Sequence, residues 1–469
     1  MDVSDDVIVV LEGFACFALL GIGLAAVQLR LMSLDSATEL SVFFLGGILL
    51  LAWKRLDGGR HPCFLFLGML LIFQGGRLIG YISGILDDPF RMELQTTIPF
   101  DVNRSTAEIT LMLILLSAMC VYLPCRWRCR SVTLHPGWEQ NWLTAAYVLL
   151  LALFPFVAYK NYRYFDYVRS HGGYLAIYTD SSAVLSSAGS LVRGWSLIAY
   201  DAFIIVFVVE RRRSRLIIVT LLFLAISTLE LLVGLRGKFF VFLITLWFLR
   251  NLKTNGKFPL SSLLLLGGVL SLVGMFIAGF RENTTVQSLN PMEFLTGQGI
   301  SMQVTEAAVE FEANFSRHAN SYLWNDLKLG FASGPNFSQG QLLSNDLSPF
   351  LNARSYRVGL GTASSYLAEA YLWAGVLGVI MASLCIGVVL RWLHSLGATP
   401  VGAVVLGLVM PTMIYLPRCG LLEPLSQALK LLSTLVATLV LIYILHMLGR
   451  CYAVAMHYRR PLDERLHRS

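Results

Sequence analysis

The sequence predicts an all-α polytopic membrane protein, on three observations: too little charge for a soluble surface, apolar runs long enough to cross lipid, and basic residues confined to alternate connections. Hydrophobic residues make up 56% of the 469 and charged residues only 14%, and the mean hydropathy is +0.66. A soluble chain of this length needs more surface charge, so the apolar excess must face lipid. A helix crosses a bilayer core of about 30 Å with roughly 20 apolar residues. Such runs recur along the chain, and no signal-peptide cleavage pattern precedes them.

Apolar runs and their charged boundaries mark about twelve transmembrane helices. The first two are 7–29 and 37–53, the second interrupted by Gly46 and Gly47 and followed by Lys54, Arg55 and Arg60. The third, 62–86, carries Gly76, Gly80 and Gly84, a stripe that favours close helix packing. The fourth, 106–124, precedes Arg126, Arg128 and Arg130, and after 141–159 the sixth, 194–209, precedes Arg211, Arg212, Arg213 and Arg215. The seventh and eighth, 216–235 and 238–250, could instead form one bent pair around Gly234 to Lys238, with Arg250, Lys253 and Lys257 beyond. The ninth to twelfth are 259–280, 366–390, 400–416 and 425–449, before a tail holding Arg450, Arg459, Arg460, Arg465 and Arg468.

These basic runs fall after even-numbered spans, so the positive-inside rule places them and both termini in the cytoplasm. The same bias accounts for the net charge of +7, which leaves little reason to expect a nucleic-acid partner. The connections 87–105, 160–193 and 281–365 then face outward. We read 1–469 as one transmembrane domain containing a large extracytoplasmic loop, 281–365, before the tenth helix. A long connection of this kind, rich in aromatics and amides, places function on the outer face.

Several chemistries find no support. There is no internal repeat, P-loop, dinucleotide fingerprint or His-Glu-x-x-His helix, which argues against a nucleotide-driven engine. Of eight cysteines, Cys16, Cys63, Cys120 and Cys385 lie in spans and Cys419 near the outer face. Cys125, Cys129 and Cys451 face the cytoplasm. Cys125 and Cys129 have metal-compatible spacing but no second ligand pair, so they read as structural thiols, and neither a metal nor another cofactor is expected.

The informative residues are cations at outer span ends: Arg77, Arg236, Lys238, Arg281 and Arg418. Outward arginines have no topological use in such a protein, and charges at membrane depth pair, line wet cavities or mark ligand paths. An anionic ligand would account for several at once, whereas snorkelling to head groups would account for any one. The eighth span would open just after Gly237, presenting free amides and a positive dipole end to a phosphate. Arg354 and Arg357 in the large loop could grip phosphate oxygens, and Trp324, Tyr356 and Tyr366, with Tyr322, Phe337 and Trp373, offer flat faces to sugar rings. The alternative for these aromatics is an interfacial belt.

Gly-x-Arg-Gly at 234–237, a large late outer loop, a Gly-rich exit ending in Glu369 with Gly375-Val376-Leu377-Gly378, and Arg418 before the last span together resemble bacterial O-antigen polymerases of the Wzy type. The resemblance covers mainly 216–449. It implies a GT-C-like glycosyltransferase of the bacterial inner membrane, joining undecaprenyl-pyrophosphate-linked oligosaccharides at the periplasmic face. An acceptor hydroxyl would attack the anomeric carbon while lipid pyrophosphate departs, and cations would meet the developing charge without a metal. The pyrophosphate role falls to Arg236 first, then Arg418, Arg281, Arg354 and Arg357, with Lys238 and Arg77 in support. The base is Glu369, Glu423 or His318. Glu369 comes first because it follows the arginine-rich segment, though it could merely pair with an arginine, and Glu423 before Pro424 could merely charge a helix start. Membrane lipids and a chain-length regulator protein are the further partners implied. An O-antigen ligase or a lipid-linked oligosaccharide flippase is the alternative. A metal-dependent transferase would need Asp87 and Asp88, which read better as a turn before Pro89.

Overall fold

The computed structural model describes residues 32–57, 60–92, 100–127, 140–171, 181–233, 236–253, 260–282, 290–329, 340–357 and 361–466. The first expected span, 7–29, lies outside them. Helices dominate, in the order α1 (Leu34–Arg55), α2 (Pro62–Ile82), α3 (Arg104–Arg126), α4 (Gln140–Ser170), α5 (Ser181–Ser187), α6 (Ser190–Val209), α7 (Arg213–Val233), α8 (Arg236–Lys253) and α9 (Leu260–Glu282). Then come α10 (Pro291–Gln298), α11 (Ile300–Glu310), α12 (Glu312–Phe315), α13 (Ala319–Leu329), α14 (Leu343–Arg357), α15 (Tyr366–Leu396), α16 (Pro400–Tyr415) and α17 (Glu423–Leu466). Between α2 and α3, β1 (Arg91–Met92) pairs antiparallel with β2 (Phe100–Asp101).

Local chemistry sets several starts. The Ser33 hydroxyl accepts from the Ser36 amide, His61 Nδ1 from the Cys63 amide ahead of α2, and Thr399 from the Gly402 amide ahead of α16. Each satisfies a backbone donor that the first helical turn leaves open, and Pro62 and Pro400 sit where a missing N–H costs nothing. Among the described residues nine helices are long and apolar enough to cross a membrane: α1 to α4, α6, α7 and α15 to α17. The eighth and ninth expected spans form α8 and α9 but fall outside that set. Arg236, Lys238, Arg250 and Lys253 charge both ends of α8, and the described apolar stretch of α9 is the shorter Leu265–Met275.

The core lies between two helix groups. One is α1, α2, α3 and α15, the other α4, α6, α7 and α17, and α16 touches members of both. Glycines set two close approaches. A Cβ on Gly387 of α15 would stand 2.5 Å from the Val121 carbonyl of α3. One on Gly76 would stand 2.7 Å from the Leu295 carbonyl and one on Gly80 2.4 Å from Thr296 Oγ1, so the small-residue stripe of α2 receives α10. Gly84 instead adopts a positive φ of 72° at the turn after α2.

The large outer segment is not an irregular loop. Its described residues are mostly helical, α10 to α14, with their own apolar cluster around Val304, Ala307, Tyr322, Leu343 and Leu347. These helices are short and two-faced, lying over the bundle, and so make no apolar run of membrane length. Below this roof α15 is broken: Ala374 (φ −150°, ψ 32°) and Gly375 (φ 59°, ψ −147°) leave helical geometry and re-aim the segment Tyr366–Trp373. The positive φ at Gly375 is one that side chains rarely tolerate.

The positive-inside reading puts the roof and the basic connections on opposite sides of the membrane. Single cysteines at Ser316, beside α12 in the roof, and at Ser214, in the arginine cluster opening α7, should therefore react with an impermeant maleimide from opposite sides of sealed vesicles. Labelling of both from one side would overturn the topology.

Candidate active site

The site is built where α16 ends. A 3-10 turn, Leu416–Arg418, closes α16, and four residues later α17 begins at Glu423. In this connection the Leu421 amide donates to Glu369 Oε2 at 2.8 Å and the Leu422 amide to Asp326 Oδ2 at 3.3 Å. Glu369 Oε1 accepts from the Ser364 hydroxyl at 2.5 Å. Glu369 is 1% exposed and Asp326 3%, and the two carboxyls lie close together in the interior. A side chain at 420 would destroy the arrangement, since a Cβ on Gly420 would stand 2.0 Å from Asp326 Oδ2.

Two carboxyls in contact inside the protein cannot both be charged. Burial, then Glu369, then Glu423 push Asp326 far above the usual carboxylate range, so the pair shares a proton at neutral pH. An amide and a hydroxyl donate to the Glu369 end of the pair. Cys419, next along the chain, remains a thiol for the same reasons: burial, with Glu423 and Asp326 beside it.

Glu423 stands at the edge of a cavity of about 390 Å³ between the helices. Its walls include Tyr200, Phe223, Phe242 and Tyr415, and it also receives Lys160, which pairs with Glu230 at 2.8 Å. The start of α8 lies against this wall: a Cβ on Gly237 would stand 3.0 Å from the Tyr415 hydroxyl. The helix opens at Arg236, two residues before the expected start. Arg418, partly exposed, donates to Gln298 Oε1 at 3.1 Å and lies 5.6 Å over the Phe73 ring. Behind it Gln74 ties the parts together, donating to the Pro417 carbonyl and to Ser365, each at 3.0 Å, and accepting from Thr305 at 3.3 Å.

Other expected residues stand apart from this centre. Arg77 is buried, with Nε donating to the Pro89 carbonyl at 2.9 Å and Nη2 to the Arg91 carbonyl at 3.0 Å, so its guanidinium orders the β1 approach. His318 lines a separate cavity of about 640 Å³ with Arg317, Asp346 and Phe350, which shares no lining residue with the first. Tyr366 is corrected as a sugar platform: its ring is fully buried and its hydroxyl bonds to Ser117 inside the bundle. Trp324 and Tyr356 are exposed, at 64% and 39%. Asp88 Oδ1 accepts from the Phe90 amide at 2.8 Å, the turn expected before Pro89. The side chains of Arg236, Lys238, Arg281, Arg354 and Arg357 lie outside the described residues.

Three residues escaped the sequence reading. Asp326 carries no signal in the sequence that sets it apart from the other six acids of the outer segment 281–365. Lys160 sits where α4 runs on beyond the expected end of its span. Glu306 is fully buried on α11, and neither carboxyl oxygen has a hydrogen-bond partner among the described residues. Burial raises it to about 8, against the pull of the Arg77 charge.

These features define a many-spanned helical membrane protein with a proton-sharing carboxyl pair, an arginine and a mixed polar and aromatic cavity at one end of the bundle. The family model for O-antigen polysaccharide polymerase Wzy matches residues 12–450, and the chain belongs to that family. Membership makes it a multi-pass membrane polymerase of O-antigen that acts on lipid-linked oligosaccharide repeat units. No curated protein and no solved structure matches it.

Glu306 has a pH signature. Its raised value means that the neutral form is favoured in the folded state, so stability is lost as pH rises from the ordinary value of 4.5 to about 8. Glu306→Gln should therefore melt a few degrees above the parent at pH about 9 and close to it at pH about 5. An equal shift at both pH values would contradict this.

Proposed function

We propose that the chain joins undecaprenyl-pyrophosphate-linked repeat units at the periplasmic face of the inner membrane. The supporting observation is the buried Asp326–Glu369 pair beside Glu423 at the cavity edge. A hydroxyl of the acceptor unit attacks the anomeric carbon of the donor chain. A new glycosidic C–O bond forms there, the C–O bond to phosphate breaks, and lipid pyrophosphate leaves with the electron pair. The hydroxyl proton passes to a carboxylate.

The sequence ranks Glu369 first as base, but the geometry favours Glu423. Glu369 is enclosed and its two oxygens already accept hydrogen bonds, whereas Glu423 lines the cavity. The cavity suits the donor: its aromatic walls meet the apolar carrier and Lys160 in its lining meets the pyrophosphate, a role the sequence also assigns to Arg236, Lys238 and Arg418. Arg281, Arg354 and Arg357 keep the pyrophosphate role that the sequence assigns to them, and Trp324 and Tyr356 are candidate sugar contacts. His318, in its own cavity with Arg317, suits the acceptor glycan better than the proton transfer. A chain-length regulator is an expected partner with no surface assigned to it.

The test is the polysaccharide ladder of a strain lacking this gene, complemented with the intact protein, Arg236→Ala or Glu423→Gln. The deletion should leave core carrying a single repeat, and the intact protein should restore long chains. Arg236→Ala should fail to restore them, and Glu423→Gln should slow elongation about 100-fold or more. Loss of every repeat from the core would instead support a ligase or a flippase, which the membrane face holding the lipid-linked glycan would separate.

A further inference from the structure

At the end of the bundle opposite the carboxyl pair, α2 begins while α3 and α15 finish, and there His61, Cys63 and Cys125 meet. One imidazole and two thiols lie with their donor atoms within 4.8 Å of one another, all three residues buried. The fold brings them together. His61 caps α2 through its bond from the Cys63 amide at 3.1 Å, and Cys125 sits in the last turn of α3. The close approach at Gly387 lets the Cys125 thiol reach the Gly387 carbonyl at 3.2 Å, and Cys63 Sγ lies 4.0 Å from the Val121 carbonyl. The His394 ring of α15 packs on that of His61, with centroids 4.3 Å apart.

His61 Nε2 is buried with no hydrogen-bond partner among the described residues. An imidazole and two thiols around one point form the donor set that borderline-soft metals select, because the thiols bind as anions and cancel a dication's charge. Hard, oxygen-seeking cations would find no ligand here.

We propose that His61, Cys63 and Cys125 bind a thiolate-preferring divalent transition metal of the zinc class. Binding releases two thiol protons to solvent and changes no oxidation state. Metal–sulfur and metal–nitrogen distances of about 2.3 and about 2.0 Å require the donors to draw in by roughly 1 Å, a matter of side-chain rotation. Ligation by either ring nitrogen exchanges the capping bond of His61 for a metal bond. The fourth position is open to water or to His394. The metal would pin α2, α3 and α15 where they meet. The sequence pairs Cys125 with Cys129, which lies outside the described residues, whereas the fold brings Cys125 to His61 and Cys63, far away along the chain.

The test uses purified full-length protein in detergent, kept reduced with a phosphine, stripped by a chelator and titrated with cobalt(II). One equivalent should bind with a thiolate-to-cobalt charge-transfer band, and zinc should displace it. Cys63→Ser and Cys125→Ser should each weaken binding about 100-fold, while the exposed thiols Cys385 and Cys451 should be replaceable by serine without effect. Intact, monodisperse protein that takes up no cobalt would overturn the proposal without recourse to any variant. A band that survives in the doubly substituted C63S/C125S protein would overturn it equally, as would a Cys63–Cys125 disulfide in protein purified under reduction.

Discussion

Where the Leu421 and Leu422 amides meet Glu369 and Asp326, three stretches distant in sequence are held at one point: the roof helix α13, the broken top of α15 and the start of α17. A carboxylate enclosed among helices is tolerable only if donors surround it or a proton neutralises it. Both solutions operate here, donors on Glu369 and a shared proton on Asp326. The bare backbone at Gly420 makes the approach sterically feasible. Gln74 extends the same logic, since its amide satisfies the Pro417 carbonyl and Ser365 at once and so ties α2 to the turn that carries Arg418.

Much of the membrane-spanning architecture was legible, because a helix in lipid needs only run length and charged ends, not a periodic pattern. Hence 37–53, 106–124 and 194–209 lie within α1, α3 and α6. The roof was not legible in the same way. Its helices bury one face on the bundle and read, residue by residue, like a polar loop with aromatics.

The candidate site was partly legible. Glu369, Glu423 and Arg418 stand out because charge at a span end demands a reason, and the fold gathers them in one region. Asp326 could not be found the same way, for its role depends on a partner carboxyl and on Gly420, neither near it in sequence. Arg77 carries the same signal as Arg418, yet it is occupied by backbone carbonyls whose direction no residue pattern encodes. Tyr366 resembled an interfacial aromatic, but hydroxyls of Ser117 and Ser383 inside the bundle gave its phenol a network to join.

The break at Ala374–Gly375 divides one helix between two mechanical regimes. Below it, α15 is held by α3 and exposes Leu377, Val388 and Trp392 to the surroundings, so it must follow the thickness and tilt of the bilayer. Above it, the turn bearing Glu369 is anchored to α13 and to the start of α17. An unbroken helix would act as a rigid lever, passing each undulation of the membrane to the carboxyl pair. The interruption removes that continuous lever: the lower rod packs on α3, while the upper segment keeps its own bonds to the start of α17.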